Sequence, residues 1–467
     1  MKAKRILAMT LAGILATGGL TGCGEEKNAA VTKDGKVRLV VGNWPDSEAN
    51  PSSYELRMDQ KARFEEKNPD VEIVPDTYAY DVKTFAAKAE GDTLPTIYTT
   101  HFTEAKKIMD LGYAADITNQ MREFGYYDVV SDVMMNEISR DDKIYFIPAE
   151  VYSLGLVMNL NLFREAGLMN PDGTPIFPET FDEVRTMAKT IHDKTGKAGF
   201  VFPTTQNGGG WNFTALAWNF GGTFMKENGD KWESDFNQGT TDALQWLKDM
   251  MWEDGSLPAT TLVNNDDTMK LIGTDQAAMA FAHPMQVQSL VSSYGMDRKN
   301  VGMAKMPAGP AAHVTLMGGS YYALAANATE EQKTAAFKWL QMIGVTPAAE
   351  LTDDMKQSLR ESAEEDYNSN NSIIGIHDLS IWTDKEATQG YKRELSEEFR
   401  NIDEAQTASY NDKSGIEYRT EEKQCAQDLY SLLDSCIQEV LTNKDADCKT
   451  VLEKAASDFQ ANFLNNL

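Results

Sequence analysis

The early part of the chain alternates short apolar runs with segments of helical periodicity. Val37–Val41, Val71–Val74 and Thr96–Thr100 have the length and β-branched content of buried strands. Between the first two, Tyr54–Lys67 has apolar residues at helical spacing and stops at Asn68-Pro69. Alternation of this kind predicts a parallel sheet with helices on both faces.

The alternation continues to about residue 325 and then gives way to helical periodicity. Thr180 and Glu183 have the spacing of a capping box and predict a helix running to about Lys194. From Glu330 onward the pattern is helical, with an interruption at Asp366–Ser372. Further strands are predicted at Lys143–Pro148, Ser153–Asn159, Lys197–Phe202, Gln276–Phe281, Val301–Met306 and Tyr321–Ala325. The whole pattern predicts an α/β protein with a helical C-terminal region.

The first 22 residues form a separate unit. A basic start precedes the apolar run Ile6–Leu20, which is glycine-rich and too short for a good spanning helix, and this is typical of a secretory signal. The run ends in Leu20-Thr21-Gly22-Cys23, which resembles the lipobox of bacterial lipoproteins. That resemblance implies cleavage before Cys23 and lipidation of its thiol; an ordinary cleavage site with an incidental cysteine is the alternative. The polar stretch Gly24–Lys36 predicts a flexible tether.

Three further cysteines are Cys425, Cys436 and Cys448, without the Cys-x-x-Cys or Cys/His spacing of a zinc site. Cys436 and Cys448 flank the turn-like segment Thr442–Asp447. Two alternatives remain open: a disulfide between the two predicted helices, or buried free thiols. We expect neither a metal site nor a cofactor.

Charge narrows the range of partners. The 467 residues include 44 basic and 71 acidic ones, for a net charge of −27, and removal of the signal with its three basic residues brings the charge to −30. Such acidity argues against binding nucleic acid or anionic lipid by electrostatics. Apart from the N-terminal run, no segment approaches the length of a membrane span.

The common enzyme motifs are absent from the sequence. We find no Gly-x-Ser-x-Gly, His-Glu-x-x-His, P-loop or dinucleotide-binding glycine pattern. The sequence does not exclude a pair of catalytic carboxylates of the glycosidase type, because among 71 acidic residues some must lie close together in the fold. The sequence therefore predicts a protein that is not an enzyme, with a secreted glycoside hydrolase as one rival.

Several aromatic residues fall in predicted loops. An aromatic plane covers the apolar face of a sugar ring, while amides, carboxylates and histidine pair with its hydroxyls. Trp44 and Trp211 have polar or glycine neighbours and are predicted to face a ligand, whereas Trp246, Trp252 and Trp339 lie in helical patterns and are predicted core. The loop aromatics are Trp44, Tyr152, Trp211 and Trp382.

Five stretches, taken in order, identify a family. They are Ile147–Asn159 (IPAEVYSLGLVMN), Phe177–Glu183 (FPETFDE, with Phe181 where Trp is usual), Trp218–Gly222 (WNFGG), Asp275–Met279 (DQAAM), and Met306-Pro307 with Gly318-Gly319-Ser320. Together with the lipobox and the βαβ start, they resemble the bacterial extracellular solute-binding proteins of family 1, the sugar-binding components of ABC importers. The resemblance covers about residues 37–345.

The resemblance implies a periplasmic-binding-protein-like fold of type II. Two α/β lobes are joined by hinge strands and close on a ligand in the cleft between them. The implied organisation is a signal peptide at 1–22, a tether at 23–36, lobe 1 at 37–150, lobe 2 at 151–304, a return segment of lobe 1 at 305–346, and a helical C-terminal region at 347–467 packed mostly on lobe 2.

Transferred position by position, the resemblance implies ligand contacts at strand ends and crossovers. The implied residues are Trp44, Asp46, Thr100, His101, Tyr152, Trp211, Asn212, Gly319, Ser320 and Tyr321. Many relatives have Gly-Pro-Trp after the "AAM" strand, and this chain has His283-Pro284-Met285 instead. Stacking from this wall is therefore either lost or replaced by contacts of His283 and Met285, with Trp382 as a further candidate for the missing aromatic plane.

These inferences predict an extracellular binding protein, anchored to the cell membrane by lipid on Cys23. It captures a carbohydrate, an oligosaccharide in our interpretation, and delivers it to the permease of an ABC transporter as a monomer. The alternatives are a non-sugar solute such as a peptide, polyamine or oxyanion, the glycoside hydrolase named above, and an adhesin or folding factor.

Overall fold

A computed structural model describes residues 30–81, 84–229, 231–346, 351–369, 371–377, 379 and 387–467. The predicted signal segment, Cys23 and Trp382 lie outside these residues. Within the part of the chain described, no helix combines the length and the apolar character needed to cross a bilayer.

The first lobe is an α/β unit around a mixed sheet. Its hydrophobic core consists of buried side chains from two parts of the chain, between Leu39 and Val151 and between Tyr321 and Met342. β1 pairs in parallel with both β2 and β3, so the parallel start predicted from the sequence is confirmed. The elements to residue 153 are β1 (Val37–Val41), α1 (Pro51–Lys67), β2 (Val71–Pro75), α2 (Phe85–Glu90), β3 (Ile97–His101), a 3-10 helix (Phe102–Glu104), α3 (Ala105–Asp110), α4 (Thr118–Glu123), α5 (Asp132–Ile138), β4 (Ser139–Arg140), β5 (Lys143–Ile144) and β6 (Phe146–Ser153).

The second lobe has a small antiparallel sheet covered by helices. The elements are β7 (Gly155–Asn159), α6 (Leu160–Ala166), α7 (Phe181–Thr195), α8 (Gly208–Asn219), β8 (Met225–Asn228), β9 (Lys231–Ser234), α9 (Gln238–Trp252), α10 (Asn265–Gly273), β10 (Met279–Ala282), α11 (Pro284–Ser292), a 3-10 helix (Arg298–Asn300) and β11 (Val301–Lys305). β7 lies between β10 and β11. The predicted capping box is present, since Thr180 accepts from the Glu183 N–H at the start of α7.

The predicted strand Lys197–Phe202 is wrong as an element. Only a single parallel bridge joins Ala198 to Ala277 there. The N–H groups of Gly199 and Phe200 donate instead to the Ser256 carbonyl, at 2.8 and 3.2 Å. A Cβ on Gly199 would lie 1.9 Å from the Ala188 carbonyl oxygen, so helix α7 approaches this backbone directly. The apolar run is therefore buried as an irregular segment.

The remaining elements return to the first lobe and then cover the second. They are β12 (Val314–Leu324), α12 (Glu330–Met342), α13 (Asp353–Asn368), α14 (Ala387–Glu398), a 3-10 helix (Glu404–Gln406), α15 (Ala408–Asn411), β13 (Glu417–Arg419), α16 (Ala426–Thr442), α17 (Cys448–Asn462) and a 3-10 helix (Leu464–Asn466).

Two neighbouring segments connect the lobes. β12 pairs antiparallel with β3 and β6 and parallel with β13, which completes a six-stranded sheet. Val314 and Leu316 belong to the second-lobe core, whereas Tyr321 belongs to that of the first. The chain crosses in the other direction between Val151 and Leu154. Because β6 and β12 are hydrogen-bonded side by side, the two crossings form one connection.

The C-terminal region is less regular than its pattern predicts. Between α15 and α16 the chain forms β13 and then a non-helical stretch to Cys425. α16 and α17 bury their apolar faces in the second-lobe core. Cys436 and Cys448, both buried, are free thiols in the structure, which matches the second of the two alternatives.

Candidate functional site

A cavity lies between the lobes, and three parts of the chain line it. Its empty volume of about 670 Å³, which includes space open to solvent, falls in the range of small-molecule sites. The first lobe and the crossovers provide His101, Thr103, Tyr152 and Gly319; the second lobe provides Gln206, Asn207, Gly208, Trp211, Asn265, His283 and Gln286; the C-terminal region provides Glu421, Gln427 and Tyr430.

Three rings form one wall of this cavity. Tyr152 stacks on His283, with ring centroids 4.1 Å apart and an angle of 17° between the planes. Trp211 stands edge-on to both rings, at 6.4 and 6.0 Å. Burial lowers the pKa of His283 to about 3, so its imidazole is neutral at physiological pH. The wall is thus aromatic and uncharged, and all three side chains are partly exposed.

The glycine-rich loop places Trp211 by close helix packing. A Cβ on Gly210 would lie 2.2 Å from the Tyr430 carbonyl oxygen, so only glycine lets α8 approach α16 this closely. The carboxylate of Asp434 on α16 accepts from the N–H groups of Asn207 and Gly210, both at 2.7 Å. These bonds satisfy donors at the start of α8 that have no partner within the helix. The first turn of α8, and with it Trp211, is held by a helix that lies more than 200 residues later in the chain.

Glu421 is the one carboxyl in the cavity lining that the structure describes. The indole Nε1–H of Trp211 donates to its Oε1 at 2.8 Å, and the Tyr430 hydroxyl faces the same carboxyl. Burial, with the nearby Glu104 carboxylate adding to it, raises the pKa of Glu421 to about 8. The carboxyl is therefore largely protonated at pH 7 and offers both a donor and an acceptor.

Amides provide most of the other polar groups. Five line the cavity: Gln206, Asn207, Asn265, Gln286 and Gln427. One pair is already joined, since Asn207 Nδ2 donates to Gln427 Oε1 at 2.9 Å. Each amide both donates and accepts, and the described lining contains no lysine or arginine. Across the ranges described, no three His, Cys, Asp or Glu side chains are placed to hold a metal ion.

The structure brings five of the predicted site residues together in the cavity lining: His101, Tyr152, Trp211, His283 and Gly319. The others described lie elsewhere. Thr100 and Tyr321 are buried in the first-lobe sheet, Asn212 is buried in α8, Asp46 and Met285 are exposed outside the lining, and Ser320 is paired in β12.

Trp44 requires a correction. Its indole is 4% exposed and stacks on Trp339, with centroids 5.9 Å apart and a 12° angle between the planes. After β1 the chain turns at Asn43, whose φ is +53°, and the Trp44 N–H donates to the Asp76 carbonyl. The polar neighbours that suggested a cleft loop belong to this turn, which directs the ring onto α12. Trp339, predicted as core, is fully buried.

Sequence reasoning missed Glu421 and the amides. Glu421 is one of 71 acidic residues, and it lies in a stretch whose periodicity predicts a helix although the structure has none there. Gln427 lies on the face of α16 toward the cleft, but no local motif distinguishes that position. The one usable signal was the glycine loop before Trp211, which indicates a close approach of two backbones.

Residues 46–349, well over half of the chain, match the family model described as bacterial extracellular solute-binding protein. The chain belongs to this family, and the resemblance inferred from its motifs is confirmed.

Solved structures show the same fold. The cyclic alpha-maltosyl-1,6-maltose binding protein of Arthrobacter globiformis is 20% identical with a TM-score of 0.63, and the match covers 91% of this chain and 99% of that one. The GacH receptor of Streptomyces glaucescens is 15% identical (TM-score 0.65, 91% and 97% covered). UgpB from Mycobacterium tuberculosis, in complex with glycerophosphocholine, is 15% identical (TM-score 0.67, 91% and 98% covered). No curated protein matches the chain. The two-lobed fold predicted from the sequence is confirmed.

Proposed function

We propose that this solute-binding protein captures a carbohydrate between its lobes and delivers it to the permease of an ABC importer. The observation that supports this most directly is the composition of the cavity wall. Tyr152 and Trp211 offer aromatic surface for a sugar ring, and five amides with a protonated Glu421 offer paired donors and acceptors.

The same wall disfavours the other solutes. An oxyanion or phosphodiester calls for cationic side chains, and the described lining has none. A polyamine calls for ionised carboxylates, whereas Glu421 is held largely neutral at pH 7. The Arthrobacter protein binds a cyclic maltosyl-maltose, and GacH has been solved with acarbose, so sugar ligands occur on this fold. UgpB with glycerophosphocholine is the example of another solute class.

Binding without hydrolysis is part of the proposal. Most glycoside hydrolases need two carboxyl groups about 5–9.5 Å apart across the scissile bond. In the described lining of this cavity Glu421 is the only carboxyl group, so a catalytic pair would need a carboxyl of the adjoining cavity, such as Glu137 or Glu422. We therefore assign His101, Tyr152, Trp211, His283 and Glu421 to ligand contact and none of them to catalysis.

The location and mode of action complete the proposal. Cleavage before Cys23 and lipidation of its thiol would hold the protein at the outer face of the membrane, where a monomer meets both solute and permease. A ligand shifts the protein toward the closed form only by the difference between its binding free energies for the closed and the open form. The permease would then recognise the closed lobes.

Calorimetry on the mature chain tests the ligand class. The panel contains mono- and oligosaccharides, spermidine, a short peptide and glycerophosphocholine. We expect a saccharide to bind with Kd of about 1 μM or below, near −8 kcal/mol, and to be converted to no product. If no saccharide binds, or if only a non-sugar binds, the proposal is overturned. If an oligosaccharide is converted to products, the protein is an enzyme and not only a binding protein.

A further inference from the structure

A second cavity adjoins the cleft at Glu421. Thr103 and Glu421 line both cavities, so the two cavities adjoin at these side chains. The second has an empty volume of about 840 Å³, again including space open to solvent. Its other walls come from Phe102 and Tyr321 of the first lobe, Trp232 of the β8–β9 hairpin, and the stretch from Thr420 to Gln424.

We infer that this second cavity is a saccharide subsite and that the ligand is an oligosaccharide with sugar units on both sides of Glu421. The inference rests on the proposed function and adds to it the extent of the ligand.

Tyr321 is the residue that points to a ligand here. Its side chain is fully buried and stacks on Phe102, with centroids 4.2 Å apart and a 20° angle between the planes. It lines the cavity, and its hydroxyl has no hydrogen-bond partner among the described residues. Burial, and to a smaller extent the Glu137 and Glu421 carboxyls, raise the pKa of the Tyr321 hydroxyl well above its usual value. A buried hydroxyl without a partner is unfavourable, and a sugar hydroxyl would satisfy it.

The other walls suit a hydroxyl-rich ring. Trp232 is partly exposed and offers an aromatic edge or face, with the Lys423 ammonium 5.9 Å from its ring centroid. Glu137 and Glu422 provide acceptor oxygens. Lys106 provides an ammonium group that donates one hydrogen bond to Gln424 Oε1 at 3.1 Å. Besides the largely protonated Glu421, this lining has three carboxyl groups and two ammonium groups, an excess of acids that disfavours an acidic sugar. The ligand class is therefore a neutral oligosaccharide.

The test uses calorimetry with sugars of increasing length. The probes are glucose, maltose and maltotriose, together with the corresponding β-1,4 gluco- and xylo-series, on the mature wild-type chain and on Tyr321→Phe. In the series that binds, we expect affinity to rise about tenfold or more from one unit to three. Tyr321→Phe keeps the ring and removes only the hydroxyl, so it should lower the affinity for the longer sugar about 2- to 10-fold and leave the monosaccharide unchanged.

Two further variants make the result specific. Tyr322→Phe removes a hydroxyl from the next residue of β12, which lines neither cavity, and should leave every affinity unchanged. Trp232→Ala, at the far wall, should reproduce the length-dependent loss if Tyr321→Phe proves difficult to fold. Equal affinity for short and long sugars, or a loss in Tyr321→Phe that is the same for all lengths, would overturn the subsite and leave the proposed function standing. If the wild-type chain shows no binding of any sugar by calorimetry, the proposed function itself is overturned.

Discussion

At the scale of single residues, Trp44 and Trp211 show that the same type of side chain can pack in a core or line a binding cavity. Both follow short glycine or polar segments, and both were predicted to face a ligand. Trp44 is buried against Trp339, and its indole N–H has no acceptor among the described residues. Trp211 is partly exposed, and its N–H donates to Glu421. The difference depends on what lies opposite each ring, which neighbouring residues in the sequence do not reveal.

The two tryptophans should therefore respond differently to truncation. Trp44→Ala leaves a cavity in the first-lobe core and should lower the free energy of unfolding by about 3–5 kcal/mol. The folded variant should keep the saccharide affinity of wild type. Trp211→Ala removes cleft surface, so it should cost less stability and lower saccharide affinity by about tenfold or more.

Urea denaturation gives the stabilities, and calorimetry with the sugar found in the panel gives the affinities. If Trp44→Ala keeps the stability of wild type but loses saccharide affinity, Trp44 contacts the ligand and is not a core residue. A Trp211→Ala variant that unfolds would make that ring part of the core.

At the scale of elements, the start of α8 depends on α16. Asp434 accepts from two N–H groups at the start of α8, and Gly210 permits the contact of the two helices. The sequence predicted a helix at Trp211 and a glycine loop before it, but not the partner. A local capping box such as Thr180 with Glu183 can be recognised, because both residues lie within one turn. A cap provided by a distant helix has no local pattern.

Removing this distant cap should affect both stability and binding. Asp434→Ala leaves the buried Gly210 N–H and the partly buried Asn207 N–H without their acceptor and should lower the free energy of unfolding by about 1–3 kcal/mol. Because the same loop lines the cleft, saccharide affinity should fall as well. Asp447→Ala is the matched control: Asp447 caps α17 through the Thr450 N–H at 2.8 Å, and α17 does not line the cavity. Its loss should cost about 0.5–2 kcal/mol without any change in affinity. Equal effects of the two variants on affinity would contradict the role given to Asp434.

At the scale of the whole molecule, side chains join the lobes across the cleft as well as through the crossovers. Gln427 Nε2 donates to Thr103 Oγ1 at 3.2 Å, and Lys106 Nζ donates to Gln424 Oε1 at 3.1 Å. Both pairs connect the first lobe to the segment around the start of α16. Since α16 packs in the second-lobe core, these contacts bias the relative position of the lobes.

Weakening one such contact should shift the balance between open and closed forms. Lys106→Met removes one partly buried hydrogen bond, worth about 0.5–1.5 kcal/mol, and should lower saccharide affinity by about 2- to 10-fold. Small-angle X-ray scattering should show a larger radius of gyration for the ligand-free variant than for wild type, and contraction of both when the sugar is added. A radius that does not respond to ligand in wild type would contradict closure of the lobes.

The family, the βαβ start, the α7 capping box and the aromatic residues Tyr152 and Trp211 can all be recognised in the sequence, because each depends on residues close together in the chain. The sequence by itself did not determine which side chains meet. Trp211 and Glu421 are separated by 210 positions, and Thr103 and Gln427 by 324. Only the packing of α16 on α8, and of the C-terminal stretch into the cleft, brings these groups together. The pKa of Glu421, the core position of Trp44 and the second cavity all follow from that packing, because burial and proximity are properties of the folded chain and not of its local sequence.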